Sequence, residues 1–249
     1  MLEPLRDAVD RLRSALERAD PDAPIPACPS WTVAALAEHI GGVHLWAAAA
    51  LQSPAFPGWK HPRRSRGSES LADWYAGCAA TLLDALEASD PSQPAWTFDP
   101  SDQTAGFWRR RQLHETTIHR VDVEQAGGHS QARGLDGVPT ELAADGVDEV
   151  LTVMMPRTLA RRRKRPALDV LPVPRPLAVV CPDAERAWTV QLVEDRVLTR
   201  PGVHDPVATI TAPAAPMLLA LWNRAPRAGL DITGEQEAAE AFLGAQLTP

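Results

Sequence analysis

The stretch Trp108 to Asp122, WRRRQLHETTIHRVD, decides how the rest of the chain is read. Glu115 and His119 lie four residues apart in it. On a helix that spacing stacks both side chains on one face, one turn above the other. A carboxylate and an imidazole so placed can hold one divalent ion if a third ligand arrives from another helix. The candidate third ligand is His39, in the earlier segment WTVAALAEHIGGVH. Three ligands from two helices would leave one metal position open for chemistry.

Working outward, the 249 residues suit two domains of ordinary size, and 45% apolar content is enough to bury a core. The net charge of −7 argues against a nucleic-acid binder, which usually carries a basic stripe. A local exception is RRRKR at 161–165, read as a solvated linker. Cys28, Cys78 and Cys181 are far apart and odd in number, which gives neither a disulfide framework nor a zinc knuckle. No apolar run approaches the ~20 residues of a membrane span, and the first twenty residues lack the apolar core of a signal peptide. A cytoplasmic, reduced protein is expected, with a monomer favoured.

Residues 2–19 place Leu2, Leu5, Val9, Leu12 and Leu16 at helical spacing, the signature of an amphipathic surface helix. PDAPIPACPSW reads as a loop ending in an N-cap at Ser30, with a second helix from Trp31 or Thr32 to about Leu51. A third helix is expected over 68–88, capped by Ser68 or Ser70. A fourth covers about 104–126 and stops at Gly127-Gly128. A further helix from Pro139 to Met155 breaks before Pro156. Beyond Pro166 the texture changes to short β-rich runs: LDVLPVP, PLAVVCP, AWTVQLV, RVLTR and PVATITA. APMLLALWNR then reads as a buried helix, LDITG as a strand and EQEAAEAFLGAQL as a closing helix. The expected fold is α+β in two domains, a four-helix bundle over 1–157 and a small α+β domain over 158–249.

Taken alone, Glu-x-x-x-His also describes an ordinary surface pair, and a lone His in an apolar helix also describes a core histidine. Two facts join them: His39 sits in a helix otherwise apolar on most of its circumference, and a buried carboxylate such as Glu115 needs a partner. A shared ion meets both needs. His44 and His114 each lie five residues from a proposed ligand, about 140° around the helix, and so off the ligand face. His61, His129 and His204 fall in loops. Asp122, three residues after His119, either orients its imidazole or pairs with Arg111 or Arg120.

CPSWTVAALAEHIGG at 28–42 together with WRRRQLHETTIHRVD resembles the mycothiol-dependent maleylpyruvate isomerase family, a branch of the DinB-like metal-binding four-helix bundles. The first segment is similar to a Cys-Pro-x-Trp-Thr-Val…His pattern, whose His falls on His39. The second is similar to a His-Glu-Thr-x-x-His-Arg-x-Asp pattern, whose Glu and second His fall on Glu115 and His119. MLLALWNR…LDITG resembles the family's sterol-carrier-like C-terminal domain. The resemblance implies a divalent metal, usually Zn2+, at His39, Glu115 and His119, with the thiol cofactor mycothiol at the open position. It further implies cis–trans isomerisation of a small diacid, or thiol transfer to an electrophile. Arg120 and Arg224 match arginines suited to anionic groups, Arg224 from across an interdomain cleft, and each also suits a salt bridge. Two other readings stay open: a DinB-like metal-dependent hydrolase, and a non-enzymatic regulatory module stapled by metal. Against the last, a structural zinc usually closes with four ligands, often including Cys.

Overall fold

A computed structural model describes residues 2–58, 64, 69–126, 137–163, 175–193 and 196–248. Two compact units divide at Gly134/Leu135. The first is helical and the second contains a sheet, the expected α+β order.

In the first unit, α1 (Leu2–Arg18), α2 (Val33–Ala50), α3 (Leu71–Glu87) and α4 (Ala105–Ala126) form the bundle. α1 buries Leu5, Val9, Leu12 and Leu16 against α3 and α4, the stripe that its spacing dictates. α2 packs on α3 and α4. Gly41 sits where α2 meets α3: a Cβ there would lie 2.4 Å from the ring of Trp74 and 3.2 Å from Cys78 Sγ. Trp46, Trp96, Trp108, Phe98 and Phe107 form an aromatic cluster with centroids 4.9–6.4 Å apart, and Trp108 Nε1 donates to Trp96 O at 2.7 Å.

Two local expectations change. The segment read as a loop contains paired strands, β1 (Pro24–Ile25) and β2 (Cys28–Thr32). Extended backbone therefore runs through Ser30, and the N-cap of α2 is Thr32, whose Oγ1 accepts from Ala35 N at 3.3 Å. Ser70 caps α3 as expected, accepting from Asp73 N and donating to Asp73 Oδ2. Ser68 and Gly127-Gly128 lie outside the described residues.

The second unit begins with α5 (Thr140–Glu149), a π-helical turn (Val150–Met154) and α6 (Met155–Arg163). The expected break at Pro156 does not occur. The wide turn precedes it, and Pro156 falls in the first turn of α6, where its missing N–H costs nothing. Sheet order is β5-β4-β3-β6-β7, antiparallel except for the parallel β3/β6 pair. The strands are β3 (Leu177–Cys181), β4 (Arg186–Val193), β5 (Arg196–Pro201), β6 (Ala208–Thr211) and β7 (Asp231–Gly234). Helices α7 (Ala214–Leu221) and α8 (Gln236–Gly244) complete it. The units divide earlier than the expected 157/158 because the first helices of this unit belong with the sheet. α5 packs on α7, Trp188 Nε1 donates to Asp148 Oδ1 at 2.7 Å, and Thr199 Oγ1 donates to Leu151 O at 2.9 Å. The run LDVLPVP and the end of RRRKR lie outside the described residues.

Candidate metal centre

α4 presents Glu115 and His119 one turn apart, and α2 brings His39 to them. Glu115 Oε1 lies 3.5 Å from His39 Nε2 and 3.3 Å from His119 Nε2. The three prospective ligand atoms lie within 4.8 Å of one another. The two imidazoles meet edge to face, with centroids 5.3 Å apart. His39 also faces Trp31 of β2 at 4.7 Å, so the small hairpin steadies the ring that α2 contributes. The site is not sealed: the His39 side chain is 28% exposed, against 15% for Glu115 and 8% for His119.

What lies behind the ligands fixes their state. His119 Nδ1–H donates to Asp122 Oδ2 at 2.9 Å, and Asp122 is wholly buried. That bond leaves Nε2 as the nitrogen that faces Glu115. Burial alone would raise the carboxyl of Glu115, but Arg111, with His119 and His39, outweighs it and holds the group well below its usual range. Burial likewise depresses His119, but bonds to Asp122 and Glu115 push its imidazolium up to about 9. An ionised oxygen and two imidazole nitrogens thus converge on a small volume that requires positive charge, supplied by a proton on His119 or by a cation. A carboxylate and two imidazoles suit a divalent ion of the zinc type, with room for a further ligand.

The other nominated residues separate. Asp122 takes the orienting position behind His119. Arg120 is buried and its Nη1 donates to Glu124 Oε1 at 3.1 Å. Arg224 belongs to the second unit, where Nη1 donates to Trp222 O at 2.6 Å and the guanidinium lies 5.6 Å from the Trp222 ring centroid. His44 is a core histidine, as expected. Its Nδ1–H donates to Gln112 Oε1 at 2.8 Å and Nε2 accepts from the Tyr75 hydroxyl at 3.3 Å. His114 is buried and His204 exposed, its Nε2–H donating to Pro201 O at 2.7 Å, while His61 and His129 lie outside the described residues. Sequence reasoning missed Arg111 as the partner of Glu115, whose Oε2 its Nη2 meets. The same four-residue rule that paired Glu115 with His119 would have found it.

A helical bundle carrying a His-Glu-His cluster that could hold a metal ion, followed by a small α+β unit, defines the class of this protein. Residues 2–124 match the mycothiol maleylpyruvate isomerase N-terminal domain, and residues 141–241 match the MDMPI C-terminal domain. The chain belongs to the mycothiol-dependent maleylpyruvate isomerase family. Among solved structures, a variant of the mycothiol-dependent maleylpyruvate isomerase superposes with a TM-score of 0.62 at 12% identity, covering 94% of this chain and 92% of that one. That likeness establishes a common fold. A stereoselective inverting sec-alkylsulfatase from Pseudomonas sp. gives a TM-score of 0.31 at 12% identity, over 69% of this chain and 27% of that one, and carries no argument. No curated protein matches the chain. Among the described residues no helix is long and apolar enough to cross a membrane.

Proposed function

We propose that this protein is a divalent-metal-dependent enzyme that uses a low-molecular-weight thiol, mycothiol, either to isomerise a maleylpyruvate-like diacid or to transfer the thiol to an electrophile. The observation that carries it is the convergence of His39, Glu115 and His119 from two helices, with Asp122 fixing the tautomer of His119. Family membership and the named activity of the solved relative supply the thiol and the substrate class.

In this reading His39 Nε2, Glu115 Oε1 and His119 Nε2 hold the ion, with Zn2+ as the species that suits them. Bound there, a divalent metal lowers the pKa of a thiol and supplies a thiolate at neutral pH. The chain's own residues do the rest. Asp122 takes the Nδ1 proton of His119 into a hydrogen bond and so keeps Nε2 basic. The partial exposure of His39 gives the site access to solvent and small molecules. Arg224, within the second unit, is a candidate to bind an anionic group, since a planar guanidinium suits a carboxylate. Arg120 is a further candidate for an anionic group, with its Nη1 donating to Glu124 Oε1. The thiol adding to and leaving a cis-enoyl diacid would permit rotation about the intervening single bond.

The test is metal analysis followed by turnover. Purified protein is expected to carry about one divalent ion per chain, and to turn over maleylpyruvate or a member of an electrophile panel only when mycothiol is added. Turnover that needs metal and ignores thiol would replace this reading with a hydrolase. Protein that takes up no metal would remove the site itself.

A further inference from the structure

The two oxygens of Glu115 have different neighbours. Oε1 faces the imidazole nitrogens of His39 and His119, whereas Oε2 is engaged by Arg111 Nη2. Arg111 stands one turn before Glu115 on α4, so their approach is set within one helix. Its side chain is only 3% exposed. A guanidinium cannot shed its charge by deprotonation, so turning Glu115 away from this buried one forfeits a charge-assisted hydrogen bond. Along one face of α4 the order is therefore Arg111, Glu115, His119 and Asp122, a row in which each prospective ligand is braced from one side.

We propose that Arg111 is a positioning residue that confines Glu115 to one donor oxygen and thereby keeps a coordination position free for the thiol. A carboxylate left to itself can bind a cation through one oxygen or both. Were both oxygens of Glu115 to turn toward the ion, the second would fill the position at which a small molecule must enter, and Arg111 would be left buried without this carboxylate. The ion pair makes that rearrangement unfavourable. Arg111 thus governs how many ligands the protein itself contributes, rather than whether a metal binds. This role rests on the metal reading above, and the experiment separates the two.

Cobalt(II)-loaded wild-type protein and the Arg111→Met and Arg111→Lys variants are compared by visible absorption and by titration with 2-mercaptoethanol, whose thiolate gives a charge-transfer band on cobalt. Melting curves establish folding first. Wild type is expected to show the strong visible bands of four-coordinate cobalt and to bind the thiol. Arg111→Met is expected to retain about one cobalt per chain at saturating metal, to show weakened visible bands as coordination rises, and to bind the thiol about tenfold or more weakly. Arg111→Lys keeps the charge on a more flexible stem and is expected to fall between them, and it carries the test if the Met variant does not fold. An unchanged spectrum and thiol affinity in a folded variant overturns the role of Arg111 while leaving the metal site standing. Loss of cobalt from a folded Arg111→Met protein overturns it too, because Arg111 would then be needed to build the site. A wild-type protein that takes up no cobalt overturns both.

Discussion

His119 Nδ1 lies 2.9 Å from Asp122 Oδ2, one helical turn apart on α4, so a fully buried carboxylate holds the imidazole whose other nitrogen faces Glu115. Asp122→Asn keeps the shape of this bond and removes its charge. It is expected to weaken metal affinity about 10- to 100-fold, and to lower the melting temperature of the metal-free protein near neutrality, where the buried His119 imidazolium loses its carboxylate partner. Competition against a coloured chelator measures it, and an affinity within twofold of wild type would count against the orienting role.

Removal of a ligand should be more severe. His39→Ala and Glu115→Ala are each expected to leave purified protein with a small fraction of the roughly one divalent ion per chain that a single such site holds. Full occupancy in either variant, measured by elemental analysis, would disprove the ligand assignment.

Metal uptake should depend on pH in a defined direction. His119 is held up to about 9 by Asp122 and Glu115, so near neutrality it is protonated in metal-free protein and must lose that proton to bind an ion. Apparent affinity is expected to rise about tenfold per pH unit over roughly pH 6 to pH 8 and to level off once His119 is neutral. Proton release into weak buffer during titration with zinc gives an independent check.

His44 should produce a stability slope elsewhere. Burial outweighs its bond to Gln112 and lowers its pKa from 6.5 to about 4. Between those values the unfolded chain binds a proton that the folded protein refuses, so stability is full above about 6.5 and lost as pH falls toward 4. At ~1.4 kcal/mol per unit the loss amounts to about 3 kcal/mol. His44→Gln is expected to be less stable near neutrality but to show a flatter dependence of melting temperature between these pH values. A slope as steep as that of wild type would show that another group is responsible.

Gly41→Ala tests the packing of α2 on α3. The added methyl would fall 2.4 Å from the ring of Trp74, and relief requires that ring to turn or one helix to move. A loss of about 1–3 kcal/mol is expected from urea unfolding. No loss would mean that Trp74 turns aside freely.

How legible was all this in the sequence? Glu115 and His119 could be read because helical spacing is rigid and α4 runs long without a break. His39 could be joined to them because an imidazole in so apolar a helix calls for a partner. Arg111 was weighed as a partner of Asp122 and not of Glu115, although it stands the same four residues from Glu115 as His119 does, because spacing alone does not say which of two nearby carboxylates a guanidinium meets. The hairpin that seats Trp31 on His39 was hidden by prolines, which signal turns whether or not short strands flank them. Pro156 misled in the opposite sense: a proline ends a regular helix, and only the π-turn before it lets the chain continue. The division of the units was misplaced because a helix carries no mark of which neighbour it will pack against.

Because α4 carries two of the three prospective ligands and α2 the third, an unfolded chain holds only the local pair, while the docked helices hold all three. An ion that prefers the complete set is bound chiefly by the folded form, so its binding adds to the folding free energy in proportion to the logarithm of its concentration over its dissociation constant. The first unit would then be most resistant to heat where metal is plentiful and most susceptible where it is scarce. Stability of the bundle would become a readout of the free metal around it.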